Sequence, residues 1–285
     1  MNDKNRNLAV RLTTAFVLLP LVLWLIWLGG LYFAALLGVA AAGCAWELNL
    51  LPVNIPRQPT EIAEIEAESA VLSGAAFVSM GAAFLLPLLP EIHFASLELI
   101  LTALVIVAFA DALLFEDRIE HAPRRVSLAV LGAVYPGLLL ASLVPLRQLP
   151  HGFWWVFLAL TVTWANDTGA YFAGRAFGKH KLYPRISPSK TWEGAIGGSL
   201  VSIVGACIVQ HFCLPDLALY GAALVGAGAA VLGPLGDLSE SMLKRAYGAK
   251  DSGRLLPGHG GLLDRIDALL FNAPFVYLCA KLFLS

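Results

Sequence analysis

The sequence predicts an all-α, polytopic integral membrane protein, and three observations predict it. The first is composition. Of 285 residues, 58% are hydrophobic and only 14% are charged, with a mean hydropathy of +0.74. Soluble domains run at roughly 45–50% apolar and about 25% charged, so the chain falls outside their range on both counts. The second is the presence of nine apolar stretches, each close to the roughly 20 residues that a helix needs to cross a bilayer. The third is where the cations fall. Segments 1–11, 52–69, 116–125, 174–192 and 238–265 hold seventeen of the nineteen Lys and Arg residues, Arg147 and Lys281 being the others. Basic residues collect on the cytoplasmic side of membrane proteins, and these segments alternate along the chain. The pattern predicts a cytoplasmic N-terminus and, with an odd number of spans, an external C-terminus. The net charge of −1 singles out no partner, and nucleic acid is not expected as one.

The expected spans are about 11–29, 31–51, 70–89, 94–115, 126–146, 152–174, 193–213, 217–237 and 262–284. Gly29–Gly30 makes a tight turn between the first two. The first run is long and leads straight into further spans, so it reads as a retained helix rather than a cleaved signal peptide. Loop 52–69 carries Glu61, Glu64, Glu66 and Glu68 with Pro52, Pro56 and Pro59, and reads as a solvated linker with a short surface helix. Asp111 in the fourth span pairs with Arg118 one to two turns away or faces a cavity. The small-residue run Gly221–Gly233 permits close helix packing, within one chain or between two. Cys44, Cys207, Cys213 and Cys279 form no CxxC pair and read as small membrane-buried residues.

Ionisable groups at membrane depth are costly and mark candidate sites. Three clusters stand out. In Trp164–Leu182, Asn166 and Asp167 interrupt an apolar span, and Tyr171 and Gly174 share the helix face of Asp167. A pairing of Asp167 with Arg175 or Lys179, holding helices together, is the plainer alternative. In Arg185–Gly198, Ser187 before Pro188 reads as a helix N-cap with proline at the first helical position. The free N–H groups there, with Ser189, Lys190 and Thr191, make an anion site, and capping does not account for Lys190 and Glu193 at a membrane edge. In Gly233–Leu270, Asp237, Glu240, Ser241 and Lys244 form a polar stripe on one helix. A loop rich in glycine follows, with Gly253, Gly258, Gly260 and Gly261, and then Asp264 and Asp267 one turn apart. Five cations in this third segment, Lys244, Arg245, Lys250, Arg254 and Arg265, suit a polyphosphate. Its carboxylates suit Mg²⁺, which takes oxygen ligands and substrate phosphates. Glycines let a backbone approach phosphate oxygens closely. Together these features predict a metal-assisted, phosphate-handling site at the cytoplasmic membrane face.

The stretch "SMLKRAYGAKDSGRLLPGHGGLLDRID" closely resembles the signature of the phosphatidate cytidylyltransferases, or CDP-diacylglycerol synthases. The matching residues are Ser241, Lys244, Arg245, Lys250, Asp251, Gly253, Leu256, Pro257, His259, Gly260, Gly261, Asp264, Arg265 and Asp267. "NDTGAYFAGRAFGKHKL" and "SPSKTWEG" resemble family segments as well, so the close resemblance runs from about Trp164 to Asp267; Glu47 is a weaker point of likeness. The resemblance implies that a phosphatidic acid oxygen attacks the α-phosphorus of CTP, giving CDP-diacylglycerol and pyrophosphate. It implies Mg²⁺ on Asp237 and Asp264, with a second cation such as K⁺. Lys244, Arg245, Lys250 and Arg265 would neutralise the triphosphate, and His259 would donate a hydrogen bond to phosphate. Asp251 and Asp267 belong to the same catalytic set. Asn166, Asp167, Ser187, Ser189, Lys190, Thr191, Glu193, Ser241, Gly260 and Gly261 would line the substrate side. Residues 1–125 would then serve packing, dimerisation or lipid access, and 126–285 would form the catalytic region. A homodimer in a bacterial inner membrane is the implied setting. Two alternatives stand beside it. An ion-coupled transporter is motivated by Asp111 and Asp167, but the chain shows no internal repeat. Another lipid-phosphate transferase would carry D-x2-D-G-x2-A-R or a DD-x-x-D cluster, and neither string is present.

Overall fold

The protein is described by a computed structural model covering residues 3–51, 74–91, 96–115, 119–256, 258 and 260–284. Loop 52–69, Arg118, Pro257 and His259 lie outside the described residues. The described residues are mostly helical. Its helices are α1 (Asp3–Leu28), α2 (Gly30–Leu50), α3 (Gly74–Leu88), α4 (Leu97–Phe115), α5 (Ala122–Ala141), the short α6 (Leu143–Gln148), α7 (Gly152–Phe177), α8 (Trp192–Cys213), α9 (Leu219–Ala246) and α10 (Leu263–Leu284). A hairpin of β1 (Lys181–Tyr183) and β2 (Ser187–Thr191) lies between α7 and α8.

Among the described residues, six segments are long and apolar enough to cross a membrane: α2, α4, Ile119–Gln148, α8, α9 and α10. The apolar stretches Phe16–Leu28 and Ala76–Leu88 are shorter. Helix α7 is long, but its tryptophans and polar residues, Asn166 and Asp167 among them, lower its hydropathy. Side chains such as Ile106, Phe109, Leu113, Leu114 and Phe115 on α4 are exposed. In lipid that face costs nothing, while every backbone polar group must be satisfied within the helix. This is the architecture of a multi-pass helical membrane protein.

The chain divides into two compact units. The first is Met1–Ala141 with Lys244–Arg265, and the second is Ser142–Leu243 with Ile266–Ser285. In the first, α2, α3, α4 and α5 pack on one another. Ala82, Leu86, Ile100, Leu104 and Ala133 form its core. Close approach depends on small residues: a Cβ on Gly38 would lie 2.7 Å from the Phe84 carbonyl, and one on Gly137 would lie 2.9 Å from the Ala83 Cα. Asp111 is buried and pairs with Arg125 at 2.7 Å. The sequence offered Arg118 or a cavity for Asp111, and Arg118 lies outside the described residues. Arg125 stands at the start of the next helix, and the turn Ile119–His121 returns the chain so that α5 packs beside α4.

In the second unit α7 packs lengthwise against α8. A Cβ on Gly226 of α9 would lie 2.6 Å from the Ile203 Cα of α8, and one on Gly228 would overlap the Phe275 ring of α10. At these two positions the small-residue run serves packing inside the chain. Ser202 Oγ is 3.2 Å from the Val162 carbonyl and 3.0 Å from the Gly226 carbonyl. Asn272 donates to Thr163 Oγ1 at 2.9 Å, so polar groups on different helices satisfy one another. All four cysteines are free thiols.

Candidate functional site

The first unit folds the glycine-rich loop around two carboxylates. The C-terminal turn of α9 presents Lys244, whose Nζ donates to Asp264 Oδ1 at 2.6 Å. Both side chains are nearly buried, at 10% and 13% exposure. Asp264 is the second residue of α10, where the free N–H groups of the helix start favour negative charge. Its carboxylate also accepts from the backbone of Ser252, at 3.3 Å and 3.0 Å, and of Gly261, at 3.2 Å. Leu256 N–H donates to the Gly260 carbonyl at 3.0 Å, bridging the loop. Gly258 and Gly260 take the positive φ values of 76° and 85° that such a closure needs.

Two further glycines are used otherwise than expected. A Cβ on Gly253 would overlap the Glu47 carboxylate. One on Gly261 would overlap Ser252 Oγ and lie 2.8 Å from Asp264 Oδ2. These two glycines admit the protein's own carboxylates, not only a phosphate. Glu47, in the last turn of α2, is 1% exposed. It accepts from Ser252 Oγ at 3.1 Å and from the N–H groups of Leu262 and Leu263 at 3.0 Å and 2.8 Å. Its central place is what sequence reasoning missed. The signal available was one carboxylate inside an otherwise apolar helix.

Beside this loop is a cavity of about 900 Å³, bordered by Trp46, Glu47, Lys250, Asp251, Arg254 and Gly260. Lys250, Asp251 and Arg254 are exposed, so their charges face solvent. Arg245 turns aside, donating to the Ala249 carbonyl at 2.7 Å and closing the turn after α9. Arg265 is exposed on α10.

A second polar cavity, of about 460 Å³, belongs to the second unit. Asp167, Tyr171 and Gly174, which share a helix face by their spacing, line it from α7 together with Asn166. Ser189, Lys190 and Thr191 come from the hairpin, and Asp237 from α9. Lys190 Nζ is 2.7 Å from Asp237 Oδ2, and Ser241 Oγ donates to Asp237 Oδ1 at 3.3 Å. Asp167 makes no ion pair with Arg175 or Lys179 among the described contacts; Arg175 donates to the Tyr171 hydroxyl at 3.1 Å. Apolar groups, including Leu182, Ala195 and Pro234, complete the wall.

The helix start expected at Ser187–Pro188 is not there. Ser187–Thr191 is a strand, paired antiparallel with Lys181–Tyr183. Proline lacks an N–H and fits the edge of a two-stranded ribbon as readily as a first helical turn. The cap is Thr191, in extended conformation, whose Oγ1 accepts from Gly194 N at 3.1 Å. Glu193 makes contacts within the hairpin region. Its carboxylate contacts His180 Nδ1 at 2.6 Å and accepts from the N–H groups of Lys179 and His180, tying the hairpin's entry to the start of α8. Ser187 is absent from the cavity lining, whereas Ser189, Lys190 and Thr191 are part of it. Asp267 Oδ1 accepts from Ala268 N at 2.8 Å, and Glu240 is fully buried on α9.

No group of three or more His, Cys, Asp or Glu among the described residues is arranged to hold a metal ion. Magnesium needs fewer, since it is commonly held by one or two carboxylates together with substrate phosphates and water. Asp237, with Asp167 on the same cavity, and Asp264 are hard oxygen donors of that kind, so the residues present fit the ion.

Comparison with known proteins gives the site a context. The sequence model of the cytidylyltransferase family matches residues 9–283. A phosphatidate cytidylyltransferase of Brucella suis biovar 1 (strain 1330) is 35% identical over 278 residues, 97% of this chain and 94% of that protein. A phosphatidate cytidylyltransferase of Bacillus subtilis (strain 168) is 44% identical over 159 residues, 55% of this chain and 59% of that protein. One from Haemophilus influenzae is 47% identical over 129 residues, 44% of this chain and 45% of that protein.

Proposed function

The chain belongs to the cytidylyltransferase family, and on that premise we propose that it transfers the cytidylyl group of CTP to phosphatidic acid. A phosphatidate oxygen forms a bond to the α-phosphorus of CTP, the bond from that phosphorus to the bridging oxygen of the β-phosphate breaks, and pyrophosphate leaves. The products are CDP-diacylglycerol and pyrophosphate. The attacking oxygen is already ionised near neutral pH, so no general base is required. Positioning and charge neutralisation carry such a transfer.

The observation that carries the reading is the cation-rich loop folded around Asp264, with Lys250 and Arg254 on the neighbouring cavity. That set suits a nucleoside triphosphate and its departing pyrophosphate. The cavity of the second unit suits a lipid phosphate, because Ser189 and Lys190 offer polar donors and Leu182, Ala195 and Pro234 an apolar wall. Asp264 in the first unit and Asp237 in the second are each a proposed Mg²⁺ ligand. When bound, the ion would offset phosphate charge and polarise the reacting phosphoryl group. A second cation such as K⁺ is part of the proposal and is tested by replacing the monovalent salt. The proposed location is the inner membrane of a bacterium, with a homodimer as the assembly.

The test is pyrophosphate release by the purified protein in detergent–phosphatidate micelles with CTP and Mg²⁺. Release that requires lipid, nucleotide and metal together, and disappears with EDTA and in Asp264→Asn, is the expected result. Release without phosphatidate, or an unchanged rate in EDTA, would overturn the reading.

A further inference from the structure

Glu47 borders the cavity beside the loop, yet its carboxylate is turned into the loop and not out to the charged rim. It lies in the last turn of a membrane-spanning helix and is essentially sealed from solvent, at 1% exposure. A carboxylate so placed is costly unless donors surround it. Three do, and all come from the signature segment more than two hundred residues later: Ser252 Oγ, Leu262 N and Leu263 N.

Two of these donors are backbone N–H groups at the start of α10, which have no partner inside the helix. A serine or aspartate just before a helix ordinarily serves such groups. Here position 262 is leucine, and the acceptor comes from α2. The third donor extends the linkage. Ser252 gives its hydroxyl to Glu47 and its backbone N–H to Asp264, so one residue joins the two carboxylates. Gly253 packs directly on the Glu47 side chain, and Gly261 on Ser252 and Asp264.

We propose that Glu47 is a positioning residue for the transfer reaction: by capping α10 and holding Ser252, it fixes the orientation of Asp264 toward the phosphate and its metal. The assignment rests on the functional reading above. Glu47 contacts no reacting atom; it acts through Ser252 and the first turn of α10.

The experiment uses the full chain in detergent–phosphatidate micelles and compares wild type with Glu47→Gln, Ser252→Ala, Ser252→Thr and the double variant Glu47→Gln/Ser252→Ala. Glutamine keeps the size but turns one acceptor into a donor facing N–H groups. Partners that orient metal ligands typically cost about 10–100-fold in affinity or activity when removed. Glu47→Gln is expected to lower kcat by that factor and to raise the Mg²⁺ concentration for half-maximal rate, with a smaller change in KM for CTP. Ser252→Ala should move both quantities the same way, Ser252→Thr should restore them, and the double variant should be no worse than Glu47→Gln alone. Amide hydrogen exchange across residues 249–263 should quicken in Glu47→Gln and stay slow in the remaining helices. A wild-type Mg²⁺ dependence in Glu47→Gln would overturn the proposal, as would activity lost only in proportion to folded protein. Failure of wild type to turn over CTP with phosphatidate would instead sink the functional reading. The exchange measurement, made without substrate, would then decide by itself whether Glu47 holds the loop.

Discussion

A buried charge in so apolar a chain is explained by the atoms that meet it. Asp111 illustrates this at the residue scale. It is 4% exposed in its side chain and bonded to Arg125, and breaking such a buried pair from one side typically costs about 3–5 kcal/mol. Asp111→Ala should therefore lower the thermal unfolding midpoint in detergent markedly, and Asp111→Ala with Arg125→Met should recover part of the loss. Gly261 makes a second case. Overpacking typically costs about 1–3 kcal/mol, and a Cβ there would press on Ser252 and Asp264. Gly261→Ala should reduce both stability and turnover. Gly81 on α3 is the control, since nothing lies within 4 Å of a Cβ at that position. Gly81→Ala should be neutral, or stabilising by up to about 1 kcal/mol. The polar residues of the signature could be picked out from sequence because their types and spacing are unusual in a lipid-embedded chain. The partner of Asp111 could not. It depended on how the chain turns after α4, and the stretch between holds more than one arginine.

At the scale of elements, helices declared themselves by apolar length, and the hairpin did not. Strands of three and five residues carry too little pattern to read, and Ser187–Pro188 imitates a helix start in every local respect. Only pairing with Lys181–Tyr183 moves the start of α8 to Trp192. Thr191 then has two duties, capping α8 and lining the cavity with Lys190. Loss of an N-cap typically costs about 1 kcal/mol. Thr191→Ala should lower the unfolding midpoint by a few degrees, and Thr191→Ser should restore it. A midpoint unchanged in Thr191→Ala would mean that the hairpin, and not the cap, fixes where α8 begins. Glu193 belongs to this scale as well. Its carboxylate fastens the hairpin's entry through Lys179 and His180.

For the molecule as a whole, the distribution of Lys and Arg still argues for a cytoplasmic N-terminus and an external C-terminus. In spheroplasts of a chain with its four native cysteines replaced, a cysteine at Asp251 should react with an impermeant maleimide only after permeabilisation. A cysteine appended after Ser285 should react at once; the opposite pattern would invert the arrangement. The division into units was illegible from sequence for a physical reason. The signature segment is local in sequence, yet Lys244–Arg265 packs with the N-terminal helices while the residues on either side pack with the other unit. Hydropathy reports which segments leave water, not which neighbours they choose there. The contacts of Glu47 add a consequence in time. Ser252 follows it by 205 residues and Leu263 by 216. At about 5–20 residues per second, a ribosome needs roughly 10–40 s to supply them. For that interval the nascent α2 holds a carboxylate with none of its eventual donors yet made, so its last turn has to wait in water or in the translocation machinery. Final seating of the second helix is thus a late event of biosynthesis, completed only when the last helix emerges.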